Sequence, residues 1–173
     1  QWAEPFERGL ISFNASFPLE EGYLADVIDT PDGGVDTTLR PNQLLAVGGL
    51  PCVLVSKKCA RSIVDKAEQE LWTPLGIRTL SKDSEAYQPV YTGDVHKRDA
   101  AYHQGTAWPW VSGPFIEAWL RVRDFSDDAI VEAQTRFIQP LIDHLAEAGI
   151  NHIAEIADSD SPHTPRGCPF QAW

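Results

Sequence analysis

Between Asp127 and Gly149, apolar residues return every three or four positions, and no other signal in the chain constrains the fold as strongly. Ile130, Ala133, Phe137, Ile138, Leu141, Ile142 and Leu145 fall on one side of a helix and predict its buried face. Ser126 or Asp127 caps its start, and Gly149 ends it. Pro140 cannot donate to the carbonyl of Arg136, so a bend is expected there.

Four further helices follow from weaker versions of the same argument. Trp2, Phe6, Leu10, Phe13 and Phe17 form one apolar stripe. A turn-rich region around Tyr23-Leu24-Ala25 follows, and a second helix opens at Pro41, carries Leu44, Leu45 and Val47, and stops at Gly48-Gly49. The third is capped by Ser56, carries Ala60, Ile63, Val64, Ala67 and Leu71, and ends at Thr73-Pro74. The fourth runs from about Pro109 into Val122, with an interruption at Gly113-Pro114. Strand alternation is weak throughout. The expected fold is therefore all-α and a single domain, built from helix hairpins with elaborate loops at one end. The segment from 74 to 107 reads as a long irregular connection, and such loops tend to be functional.

Charge narrows the partners. The formal net charge is −11, and no Lys/Arg cluster stands out, so nucleic acid and anionic membrane surfaces are poor fits. No apolar run has the length of a membrane span, and no signal-peptide pattern opens the sequence. Cys52, Cys59 and Cys168 are odd in number and make no C-x-x-C pair, which fits a reducing, cytoplasmic setting without disulfides or a zinc cluster. No metal-ligand spacing, hydrolase elbow or phosphate-cradling loop is present, so no metal or cofactor is expected. Cys168 lies near His163, but flanking prolines argue against a thiol nucleophile. The chain starts at Gln1 and contains no methionine, which reads as a piece of a longer polypeptide.

Four segments hold more polar and aromatic detail than packing requires. The densest is the run from Arg98 to Trp110, with Tyr102, His103, Gln104, Trp108 and Trp110, preceded by Tyr91-Thr92-Gly93-Asp94. Stacking rings beside amide and imidazole hydrogen-bonding groups suit a sugar, which has apolar faces and a rim of hydroxyls. The others are Leu39-Arg40-Pro41-Asn42-Gln43, Ile153-Ala154-Glu155-Ile156, and the proline-stiffened loop from Pro162 to Trp173 that carries Arg166. Each has a structural alternative: Asn42 and Gln43 as helix caps, the tryptophans as anchors, Glu155 or Arg166 in an ion pair. A Glu facing a cleft would instead be a candidate general base.

In these segments the chain resembles the amylo-α-1,6-glucosidase region at the C-terminus of bacterial and archaeal-type glycogen debranching enzymes. The matching stretches are residues 22–29, 39–43, 71–80, 91–94, 101–110, 153–156, 165–168 and 171–173, in the family's order across nearly the whole chain. The resemblance implies an (α/α)6 toroid, of which residues 1–173 form the C-terminal part, and hydrolysis of a single α-1,6-linked glucose on glycogen or a related branched glucan with inversion. It assigns the general base to Glu155, which should be ionised and set in polar surroundings. Arg40, Asn42, Asp94, Tyr102, His103, Gln104, Trp108, Trp110 and Arg166 would bind substrate. The family's general acid belongs to an upstream T-W-M-D-like motif absent from this sequence, so the isolated chain is expected to be inactive. A cut toroid would also expose apolar helix faces and favour self-association. The alternatives are another (α/α)6 hydrolase of trehalase or glucoamylase type, a non-catalytic carbohydrate-binding piece, and a helical scaffold without sugar affinity.

Overall fold

The computed structural model of the chain describes residues 2–169 and 171. Phe170, Ala172 and Trp173, part of the C-terminal aromatic motif, lie outside the described residues. The helices are α1 (Ala3–Ser16), α2 (Lys57–Glu70), α3 (Val95–Tyr102), α4 (Ser112–Arg121), α5 (Asp127–Ala133) and α6 (Gln139–His144). Among the described residues, seven short strands join them: β1 (Val27–Ile28), β2 (Val35–Asp36), β3 (Trp72–Thr73), β4 (Gly76–Arg78), β5 (Ala107–Trp108), β6 (Ile156–Ala157) and β7 (Pro165–Arg166). The fold is mixed, helices with a small sheet, and the strictly all-α expectation needs that correction. Strands of two or three residues are too short to show alternation in sequence.

Sequence signals place α2 well. The Ser56 side chain accepts from the Cys59 N–H, and Ala60, Ile63, Val64 and Ala67 are buried at helical spacing. The second predicted helix is a 3-10 segment, Pro41–Ala46. Gly113-Pro114 does not interrupt α4. Regular α structure starts at Ser112, so Pro114 falls in the first turn, where N–H groups lack helical partners anyway.

The helix before Gly149 deviates most from expectation. A π-helical turn, Gln134–Ile138, separates α5 from α6, and the Gln139 N–H bonds to the Gln134 carbonyl. This wider turn absorbs Pro140, which has no N–H to offer. One extra residue in a turn rotates the helix face downstream by about 100°. Phe137 stays buried, but Ile138 and Ile142 are exposed, contrary to the predicted buried face. The stripe on α1 is also only half used. Phe13 and Phe17 pack against the core, while Trp2 and Phe6 are exposed.

The core centres on Phe137, whose ring meets Phe115, Trp119 and Trp72 edge-on at centroid distances of 5.1, 5.2 and 5.6 Å. Leu44, Val47, Ile63, Val64, Leu71, Ile77 and Ile156 complete it.

Five strands pair antiparallel in the order β3-β4-β5-β6-β7. Ile77 opposes Trp108, Ala107 opposes Ala157, and Ile156 opposes Arg166. This sheet brings three distant segments side by side: the aromatic run, the strand that follows Glu155, and the proline-stiffened loop.

Candidate active site

The fourth segment joins them through Arg40. Its Nη1 donates to the carbonyls of Thr79 (3.0 Å) and His103 (2.7 Å), and its Nη2 donates to Gln104 Oε1 (2.8 Å). Asp26 Oδ2 lies 3.4 Å from Arg40 Nε, and Asn42 Nδ2 donates to Asp26 Oδ1 at 3.3 Å. The backbone agrees, since Ser81 N–H donates to the Leu39 carbonyl. Around these groups lies a polar cavity of about 330 Å³, lined by Asp26, Asp36, Arg40, Asn42, His103 and Gln104 among others. A neighbouring cavity of about 190 Å³ shares Asp26, Arg40 and Asn42 but is otherwise walled mainly by Phe13, Phe17, Leu24, Leu45, Leu50 and Leu54. Convergent donors and acceptors are on the polar side, where hydroxyl-rich ligands find partners.

The aromatic run folds as one rigid block. α3 is capped by Asp94, whose side chain accepts from the Lys97 N–H. At its other end the Tyr102 carbonyl accepts from Trp108 Nε1 (3.0 Å) and Thr106 Oγ1 (2.7 Å). The Trp108 ring is buried and stacks on His103 at 5.2 Å with planes 15° apart. Tyr102 stands edge-on to both rings, at 4.7 Å from Trp108 and 4.8 Å from His103. Desolvation and the nearby Arg40 charge hold the His103 imidazole below its ordinary pKa, so it is neutral near pH 7.

Glu155 is buried and joined to this block through Tyr102. Tyr102 Oη donates a short hydrogen bond to Glu155 Oε1, and the Cys168 N–H donates to Oε2 at 2.8 Å. Burial first, and then this hydrogen bond, push the Tyr102 phenol well above its usual pKa. The phenol therefore keeps its proton and remains a donor. The local backbone fixes the geometry: Glu155 N–H bonds to the Cys168 carbonyl, next to the β6–β7 pair.

Of the residues singled out in the sequence, the structure thus gathers Arg40, Asn42, His103 and Gln104 around one cavity, with Tyr102 and Trp108 packed on His103 and Glu155 hydrogen-bonded to Tyr102. Three others have different surroundings. Asp94 caps α3. Trp110 is exposed in the 3-10 turn Pro109–Val111. Arg166 holds Asp158 Oδ2 through Nε (3.0 Å) and Nη2 (2.8 Å), the structural alternative considered for it. Asp158 also accepts from the Tyr91 N–H, so this pair ties β7 to the irregular segment leading into α3. Gln43 is buried and structural, accepting from Leu24 N–H and donating to the Arg40 carbonyl. Sequence reasoning missed Asp26 and Asp36 as cavity walls. The only available hint was two acids flanking short apolar pairs in a turn-rich region. Among the described residues, no group of three or more His, Cys, Asp or Glu side chains is arranged to hold a metal ion.

Known proteins align with this chain. The family described as amylo-alpha-1,6-glucosidase matches residues 1–173. A glycogen debranching enzyme from Saccharomyces cerevisiae (strain ATCC 204508 / S288c) is 33% identical over 90 residues, a match that covers 49% of this chain and 6% of the yeast protein. Because the family match runs the full length of the sequence, the chain belongs to the amylo-alpha-1,6-glucosidase family.

Proposed function

We propose that this chain supplies the water-activating side of an inverting α-1,6-glucosidase site acting on glucose stubs of glycogen or a related branched glucan. The observation that carries the proposal is the setting of Glu155. Two donors orient its carboxylate, and one of them, Tyr102, stands against His103 in the wall of a polar cavity of about 330 Å³. The family membership and the debranching relative support the same substrate class.

In this mechanism Glu155 takes a proton from water as the water oxygen attacks the anomeric carbon. The bond from that carbon to O6 of the main chain breaks, and a second carboxylic acid protonates O6. Inversion requires the two carboxyl groups to stand ~6.5–9.5 Å apart, leaving room for the water. The acid comes from outside these 173 residues, from a preceding part of an (α/α)6 toroid of which this chain is the C-terminal portion. The exposed apolar face of α1 then packs against other toroid helices. In the cavity, Arg40, Asn42, Gln104 and His103 bind the glucose hydroxyls, with the neutral imidazole free to accept or donate. Trp110 and Asp94 contact the glucan outside the first sugar, and Arg166 acts through Asp158 by holding the loop. The three free thiols suit a reducing cytoplasm.

Proton NMR of the full polypeptide digesting a branched limit dextrin tests the reaction class. β-Glucose is expected as the first product, with α-glucose growing in only by mutarotation. Initial release of α-glucose would overturn inversion, and with it the role of Glu155 as a base toward water.

A further inference from the structure

We infer that Tyr102, together with the Gly167–Cys168 turn, forms a cradle that positions Glu155, making Tyr102 a positioning residue for the base and not a sugar contact. This rests on the assignment of Glu155 above.

The cradle has three sides. Tyr102 Oη is committed to Glu155 Oε1, and the Cys168 N–H is committed to Oε2. The third side is steric. Gly167 adopts φ +70°, and a Cβ placed there would stand 2.6 Å from Glu155 Oε2 and 3.0 Å from Ile156 Cγ1. Only glycine lets the turn come this close with the Cys168 N–H aimed at the carboxylate. Tyr102 itself has little freedom. Its carbonyl takes two hydrogen bonds, and its ring is boxed by Trp108, His103 and Tyr91, the last at 5.7 Å. A phenol held this way fixes the carboxylate torsion.

Beside the Glu155 carboxylate stands the Tyr102 phenol, with Tyr91 and His103 against its ring; Arg166, the neighbouring cation on β7, is spent on Asp158. Removing the phenol proton donor should therefore be felt by the carboxylate directly. Without that donor the ionised form is less favoured, and Glu155 titrates at higher pH.

The test is Tyr102→Phe in the full polypeptide, with Glu155→Gln in parallel. Phe keeps the ring contacts and removes the hydroxyl. A hydrogen bond to a charged group corresponds to roughly a 10–100-fold effect, so kcat on limit dextrin should fall by that factor. KM should stay within about twofold, as should the inhibition constant of a glucose-like iminosugar, since no sugar contact is lost. The acid limb of the kcat profile should move to higher pH. In ¹³C-carboxyl-labelled protein, the Glu155 signal should move with it. Gly167→Ala should reproduce the kcat loss, and the double variant should be no worse than about the poorer single one, because both act on one carboxylate.

A raised KM with an unmoved acid limb would make Tyr102 a sugar contact and overturn the inference. So would an unmoved Glu155 titration in Tyr102→Phe. If Glu155→Gln abolishes turnover while Tyr102→Phe behaves as wild type, only the cradle fails. If Glu155→Gln turns over normally, the base assignment and the cradle's purpose fail together.

Discussion

Replacing Glu155 by Gln in the full polypeptide should lower kcat for glucose release by about 10²–10⁴-fold, the usual worth of a general base. That corresponds to about 2.7–5.5 kcal/mol of lost transition-state stabilisation. The substitution preserves shape. The amide oxygen can still accept from the Cys168 N–H, and the amide NH₂ can donate to the Tyr102 oxygen after the phenol rotates its proton away. Unfolding temperature should therefore stay close to wild type, and KM should change little, because Gln loses proton affinity and not sugar contacts. Steady-state kinetics with a thermal melt on the same preparation reads both. Turnover near wild type would eliminate Glu155 as the base. A collapsed melting temperature would mean that its role is structural.

The second large effect is on stability. Trp119→Ala should cost about 3–5 kcal/mol, the range for emptying a buried tryptophan site. Trp119 is fully buried against Phe137. The Arg123 guanidinium sits 3.8 Å over its ring, and its Nε1 donates to Glu68 Oε2 at 2.7 Å. Glu68 would not be orphaned by the change, since Arg136 Nη2 stays at 2.6 Å and Arg123 Nη2 at 3.4 Å. The loss is therefore mostly cavity and contact. Domains of this size carry about 5–15 kcal/mol in total, so the variant approaches unfolding. Trp119→Phe, which keeps most of the packing, should lose clearly less. Urea titration should show a lower midpoint at constant slope. A loss under about 1 kcal/mol would contradict the placement of Trp119 at the centre of the core.

What could be read from the chain depended on how local the cause was. The Ser56 cap and the α2 stripe lie within a few turns of each other, and both appear as expected. The π turn before Pro140 is a local response that periodicity does not encode, so the faces of Ile138 and Ile142 came out on the wrong side. α3 was hidden inside a segment taken as irregular, although Asp94 three residues before Lys97 was a usable cap signal. The small sheet was invisible for a different reason. Its pairs, such as Ala107 with Ala157, are short and far apart in sequence, and each strand carries almost no pattern of its own. The site behaved likewise. Residue chemistry pointed to Arg40, Gln104 and Glu155, but only tertiary structure joins Arg40 to Gln104, Tyr102 to Glu155, or Arg166 to Asp158. Ion-pair partners such as Asp158 and Asp26 have no sequence signature, since any acid at the right place in space would serve.

In the proposed site the carboxylate of Glu155 reaches water beneath a bound glucose. A crystal structure of the full polypeptide with a glucose-mimicking iminosugar reads this directly. The inhibitor is expected in the cavity bounded by Arg40, Asn42 and Gln104, with a water hydrogen-bonded to Glu155 at about 2.6–3.2 Å and facing the anomeric position. An inhibitor bound elsewhere, or a Glu155 carboxylate sealed from the sugar by the Tyr102 ring, would contradict it.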